Sequence, residues 1–239
     1  MRFFAVLFLL AAAGLSQSGR LAFEDFPTSA GLVRIAPIQH GALVLNGGGK
    51  FIYIDPALGH YDGLPKADLI LITDTYVFNM APRVVALLKK PGTLIFAPEE
   101  VAKAIPEVMV IRNGETRHFW QWIVEAVPAY YLKRIAGMPW HEKGAGNGYV
   151  LTYGGQRFYI SGDSESTPEM RALRGIDVAF ICMQEHRMTP QEAAEAVRAF
   201  HPKIVYPYQY HGAEPEEFDK ALVDSGIDVR LRNWYSLQP

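Results

Sequence analysis

Short apolar runs alternate with glycine- and proline-marked turns along most of this chain. Leu32–Ile38, Ala42–Leu45 and Phe51–Ile54 are three such runs, split by Gly41 and by Gly47-Gly48-Gly49. That spacing predicts a strand meander with a glycine turn. Asp68–Thr73 reads as a buried strand, approached through an acidic helix-and-turn segment, Leu64-Pro65-Lys66-Ala67-Asp68. Ala81–Lys89 carries Val84, Val85, Leu87 and Leu88 at helical spacing, and Pro91-Gly92 closes it. Thr93–Ala97 predicts a strand, and Pro98–Ile105 a helix whose Pro-Glu-Glu suits a first turn. Val108–Ile111, Arg117–Trp120 and Trp122–Pro128 follow as strands, with Asn113-Gly114 as a turn.

The second half repeats the logic. Gly148–Tyr153, the Gly154-Gly155 turn and Arg157–Ser161 predict a hairpin. Thr167–Leu173 is a helix opened by Thr-Pro-Glu and ended by Gly175. Asp177–Met183 is a strand, and Thr189-Pro190-Gln191-Glu192 opens a helix running to Phe200. Lys203–Tyr208 is a strand, Pro215–Asp224 a helix and Asp228–Leu231 a closing strand. Strands followed by strands alternating with helices fit two sheets covered by helices, an α/β sandwich. No linker interrupts the pattern, so residues 19–239 read as one domain.

Residues 1–18 differ in kind. Arg2 precedes a wholly apolar run from Phe3 to Gly14, and Ser16 and Ser18 supply small residues for cleavage. The run is short for a bilayer span, so a signal peptide is expected rather than an uncleaved anchor, and with it a secreted or periplasmic location. No stable membrane span is expected after cleavage. The net charge of −2 lacks the basic excess of a nucleic-acid footprint, so no nucleic-acid partner is expected. The single cysteine, Cys182, lies in an apolar strand and is expected to be an inert core thiol. Oligomeric state is left open by the sequence.

Several segments in order carry a family resemblance: Ile38-Gln39-His40-Gly41-Ala42-Leu43, Ile54-Asp55-Pro56, Leu69–Thr73 and Val124–Tyr130, then Gly146-Asn147-Gly148-Tyr149, Tyr159–Glu165 and Lys203–Tyr210. Together they resemble the ascorbate-6-phosphate-lactonase-like branch of the metallo-β-lactamase superfamily, from about residue 30 to the C-terminus. The resemblance implies a four-layer αββα sandwich holding two zinc ions between its sheets. It also implies hydrolysis of small esters, lactones or phosphodiesters by a metal-acidified water.

The zinc ligands of that family should begin with His-x-His-x-Asp-His after Thr73. The chain instead reads Asp74-Thr75-Tyr76-Val77-Phe78-Asn79. By the same resemblance, the middle-strand histidine position falls near Tyr131, the Gly-Asp motif supplies Asp163, and the late histidine position is Gln209. Tyr76, Asn79, Tyr131 and Gln209 are neutral and poor zinc donors, and Phe78 contributes only volume. The expectation is therefore a scaffold without its ancestral zinc, no cofactor, and a non-catalytic binding or structural role. The alternatives are a hydrolase with a displaced mononuclear site built from Asp74, Asp163, His186 and His211, or a metal-free enzyme using Asp163 or Asp74 as general base.

Other residues leave two readings each. Asp163 and Asp74 can be former ligands or carboxylates that cap loop amides. Tyr76, Phe78, Tyr130, Tyr131, Trp140 and Tyr208 can fill the former metal cavity or line a pocket for a small ligand, with His141 overhanging it. The candidate pocket residues are thus Tyr130, Trp140, His141 and Tyr208. His40 is expected to be a packing residue of its turn.

Overall fold

The computed structural model describes residues 21–235, apart from Pro139, Glu185 and His211. The expected leader, residues 1–18, and His211 of the fallback metal set lie outside the described residues. Two seven-stranded sheets carry the fold, and each is built the same way. In the first, β1 (Glu24–Thr28), β2 (Gly31–Gln39), β3 (Ala42–Gly47) and β4 (Lys50–Ile54) form an antiparallel meander. Then β5 (Leu69–Leu71), β6 (Leu94–Ala97) and β7 (Met109–Val110) add in parallel. The second sheet runs antiparallel through β8 (Thr116–Phe119), β9 (Trp122–Ala129), β10 (Gly146–Tyr153) and β11 (Gln156–Ile160). It continues in parallel with β12 (Val178–Cys182), β13 (Ile204–Tyr208) and β14 (Asp228–Val229).

The parallel steps need crossovers, and helices supply most of them. They are α1 (Pro82–Leu88), α2 (Glu99–Ala102), α3 (Pro168–Arg171), α4 (Pro190–Phe200) and α5 (Pro215–Leu222). Proline sits in the first turn of α1, α3, α4 and α5, where its missing N–H costs nothing. Thr189 and Glu192 close a capping box on α4.

Alternation along each strand divides the core. In β3, Leu43 and Leu45 pack inward against the second sheet, while Ala42 and Val44 pack outward under α1 with Val84, Val85 and Leu88. Ala193, Val197 and Phe200 of α4, with Phe218 and Leu222 of α5, join the larger core from the second sheet. The order is helix, sheet, sheet, helix, the αββα sandwich that the sequence predicted. Trp122 is fully buried and its indole N–H donates to the Gly47 carbonyl at 3.3 Å across the sheets. A Cβ on Gly47 would stand 2.6 Å from that indole, so only glycine permits the approach.

Local expectations depart from the structure in a few places. The sequence reading assigns no element before Leu32, yet Glu24–Thr28 is a strand that contains Pro27. It pairs as the edge strand β1, where a missing N–H is tolerated. Leu64–Asp68 is not helical. Leu87 is exposed despite its helical spacing. Trp120 is not in β8 but in the following turn, with φ of 54° and Lys50 Nζ 3.8 Å from its ring centroid. No helix among the described residues is long and apolar enough to cross a membrane.

Trp122→Ala should remove about 3–5 kcal/mol of stability by opening a cavity between the sheets. Urea unfolding at equilibrium checks it, and a loss below that range would mean the core closes over the gap.

Candidate functional site

Polar residues collect where strands of both sheets end on the same side of the sandwich. Asp55 follows β4, Asp74 follows β5, Asp163 follows β11, Gln184 follows β12 and Gln209 follows β13. Carboxyl ends of parallel strands are where α/β sheets gather ligand-binding groups.

Asp55 sets the loop after β5. It is fully buried with φ of 45°, and it accepts from Thr73 N at 2.7 Å and Thr73 Oγ1 at 2.8 Å. Burial, and then the Asp74 carboxylate, push its pKa well above the ordinary range, partly offset by those two bonds. From the other sheet, Asn147 N donates to Thr73 O at 2.9 Å and the Tyr149 hydroxyl donates to Ile72 O at 2.7 Å. The loop therefore leaves Thr73 in a fixed direction.

Asp74 is fully engaged. Its Oδ1 accepts from Tyr76 N at 2.6 Å, and its Oδ2 accepts from Asn79 Nδ2 at 2.9 Å and, at 3.4 Å, from Thr73 Oγ1. Asn79 in turn accepts through Oδ1 from Gln209 Nε2 at 3.0 Å. One chain, Gln209 to Asn79 to Asp74, thus ties the end of β13 to the loop after β5. Gln209 adopts a left-handed backbone, φ 52°, a strained conformation for a residue other than glycine. Gly41 makes room for it, since a Cβ there would lie 2.3 Å from Gln209 Nε2.

Asp163 is treated differently. It is buried, and its Oδ1 has no hydrogen-bond partner. The capping of loop amides weighed for this residue is therefore absent at that oxygen. Burial first, and Asp74 second, raise its pKa to about 8. Asn79, Gln209 and Tyr131 lie close enough to pull it back in part, although none bonds Oδ1. Gln209 Oε1 and His141 Nε2 are also buried without partners. Burial, with Asp163 nearby, keeps the Tyr131 phenol protonated.

These groups face a cavity of about 520 Å³, whose lining includes Asp74, Tyr76, Phe78, Tyr131, Asp163 and Gln209. Of the seven positions matched to the zinc family, only Asn79 is outside the lining, one bond behind it. The reading in which aromatics fill the space is corrected: Tyr76 and Phe78 are 41% and 37% exposed at the mouth, and they pack edge to face at 5.1 Å. Their loop follows the Asp74 turn outward, which carries the rings away from the core. Trp140 and His141 line the cavity, but Tyr130 and Tyr208 do not. Tyr130 donates its hydroxyl to Glu169 at 3.0 Å, and the fully buried Tyr208 accepts from Gly162 N at 3.0 Å.

His40, expected only to pack its turn, lies in the lining and contacts Phe78 and Tyr235. His186 lines the cavity with Asp74 and Asp163, yet no three or more His, Cys, Asp or Glu among the described residues are gathered to hold a metal. The fallback set is to that extent corrected: Asp74 spends both oxygens on its own loop and on Asn79. Cys182 is buried, and burial pushes its thiol up to about 12, the inert state expected of it.

Sequence reasoning missed Arg187. It is almost wholly buried, lies over the Tyr131 ring at 4.1 Å, donates to Lys133 O at 2.7 Å and stands 3.8 Å from Glu165 Oε1. Its place just beyond β12, beside His186, was the available signal.

With fold and site described, the lineage is settled: the pattern of the beta-lactamase superfamily domain matches residues 34–209, and the chain belongs to that family. A metal-dependent hydrolase of Thermococcus onnurineus is 30% identical over 223 residues, covering 84% of this chain and 97% of the relative. A solved structure from Parabacteroides distasonis that bears the name metal-dependent hydrolase is 38% identical with a TM-score of 0.86, over 91% of this chain and 100% of that one. A metallo hydrolase of Ignicoccus hospitalis, 20% identical with a TM-score of 0.71 over 84% of this chain and 94% of that one, shares the fold.

Two outcomes are expected from the site itself. Asn79→Leu keeps the volume but strands Gln209 Nε2 and one Asp74 bond, and should cost about 2–4 kcal/mol in equilibrium unfolding. A neutral result would show that the chain of amides carries no stability. The second concerns pH. Asp163 holds its proton up to about 8 when folded but only to its ordinary 3.8 when unfolded. The folded state binds more protons between those values, so stability falls as pH rises through them. Asp55 acts in the same direction. Asp163→Asn should flatten the slope and exceed the parent above that window; an unchanged slope in urea melts across the range would refute the assignment.

Proposed function

We propose that this chain keeps the superfamily fold without its dinuclear zinc centre and uses the cavity to bind a small molecule without hydrolysing it. The observation that carries the reading is the state of Asp74, whose oxygens are spent on Tyr76 N, Asn79 and Thr73. A metal there would have to displace these bonds. At the other matched positions its company would be a protonated phenol, two amides, Phe78 and Asp163, whose Oδ1 has no partner. Zinc is held by thiolate, imidazole or carboxylate donors, three or four at a time, and this donor set does not fit two zinc ions. An exported protein, released by cleavage near residue 18, belongs to the same reading.

The relatives' name, metal-dependent hydrolase, supports the other reading, in which this chain also hydrolyses with a bound metal. Metal content decides between them. After saturation with zinc and dialysis, the protein should retain well under one zinc per chain, and chelator should leave its thermal melt unchanged. Bound zinc with a chelator-sensitive melt would establish the hydrolase instead.

A reconstruction tests the residue correspondence. The combined variant D74H, Y76H, F78D, N79H, Y131H and Q209H should take up zinc where the parent takes up none. If it folds, by circular dichroism, and still binds no zinc, the matched positions are wrong.

A further inference from the structure

The cavity's unpaired polar atoms are all of one kind. Gln209 Oε1 is an acceptor, and so is Asp163 Oδ1 once its carboxyl is ionised; they are buried at 0% and 3% residue exposure, and neither has a partner. His141 joins them by its tautomer. Its Nδ1 lies 3.2 Å from the Asp163 backbone carbonyl, which can only accept, so Nδ1 carries the hydrogen and Nε2 is left as a third unpaired acceptor. An unpaired buried polar atom costs roughly 1–3 kcal/mol, so three acceptors in one lining favour whatever brings donors to them.

The walls add two further requirements. Asp74 acts on Asp163 through space, and a positive charge between the two favours the ionised form of Asp163 and is attracted to both. Arg187 does not supply it: its guanidinium is taken up by Lys133 O and faces Glu165 and the Tyr131 ring. Around the mouth, Tyr76 and Phe78 present ring surface suited to an apolar body and to a cation. The volume, about 520 Å³, is that of a pocket for a small organic ligand.

We infer that the cavity is a receptor for a small organic ammonium, its N–H groups donating to Asp163 Oδ1 and Gln209 Oε1 and its apolar body lying against Tyr76 and Phe78. The inference rests on the metal-free cavity proposed above and adds the class of ligand. A carboxylate of the same shape would set its charge against Asp74 and these unpaired acceptors, and an alcohol would bring one donor and no charge.

Calorimetry on protein shown by metal analysis to be zinc-free tests it with three phenethyl probes that differ only in head group: phenethylamine, phenethyl alcohol and hydrocinnamate. Phenethylamine should bind about tenfold or more tightly than either of the others, a difference of about 1.4 kcal/mol. Asp163→Asn should abolish that preference while leaving the fold intact. Phe78→Ala, at an exposed ring outside the core, should weaken all three probes alike and keep their order. Equal binding of the three, preference for hydrocinnamate, or binding of none would overturn the inference with the metal-free reading still standing. Zinc uptake by the parent would instead remove the metal-free reading, and displacement of bound phenethylamine by zinc would assign these acceptors to a metal and overturn both.

Discussion

The junction of the two sheets depends on finding partners for polar groups that have no access to water. The strands end there, so their terminal carbonyls and the loops that follow must be satisfied by side chains. Asp55 does this for Thr73, Asn147 and Tyr149 do it from the opposite sheet, and the Gln209–Asn79–Asp74 chain does it across the gap. Each is a direct hydrogen bond in a low-dielectric setting, where a missing partner costs more than the bond itself contributes. The direction of the loop after β5, and hence the mouth of the cavity, follows from these bonds.

Satisfaction stops abruptly at the cavity wall. Asp74 and Asp163 are both buried and both follow strands, yet one spends its two oxygens and the other leaves Oδ1 bare. Gln209 shows the same division within one side chain: Nε2 belongs to the structural chain and Oε1 faces no partner. Native interiors rarely tolerate such atoms, and where they gather around one open space they call for a partner there, whether water, an ion or a ligand. The strained backbone at Gln209 points the same way, because strain persists where a side chain must be held in a particular place, and Gly41 leaves room for that side chain.

Much of the fold was legible in the sequence because the alternation of apolar and polar positions is local information. The meander from Leu32 to Ile54, the crossover helices opened by proline and the fully apolar β12 could all be read from neighbouring residues. The edge strand β1 could not, since Pro27 is unfavourable locally and the pairing with β2 decides. Trp120 looked like the last residue of a strand, but its ring turned outward to Lys50, a partner seventy residues away. At the site, the resemblance brought Asp74, Tyr76, Phe78, Tyr131, Asp163 and Gln209 to one place. What it could not supply was which atoms are paired. That Asn79 is a link between Asp74 and Gln209, and that Arg187 is buried beside Glu165, depends on distances between segments far apart in the chain.

The amides at 79 and 209 are interdependent in a way that single substitutions obscure. Asn79 donates to a carboxylate and accepts from an amide, so its two ends need opposite partners. An imidazole at 79 alone would offer Asp74 a donor but hold its second nitrogen in different geometry, leaving Gln209 Nε2 buried and unpaired. An imidazole at 209 alone would still find Asn79 Oδ1, because Asn79 commits only Nδ2 to Asp74. A change at 79 therefore leaves a buried group unsatisfied and costs stability unless 209 changes as well. The same coupling explains why Asp74, rather than Asp163, carries the case for a changed centre. A lone carboxylate can be kept for a ligand, whereas one woven into a chain of amides has become part of the fold.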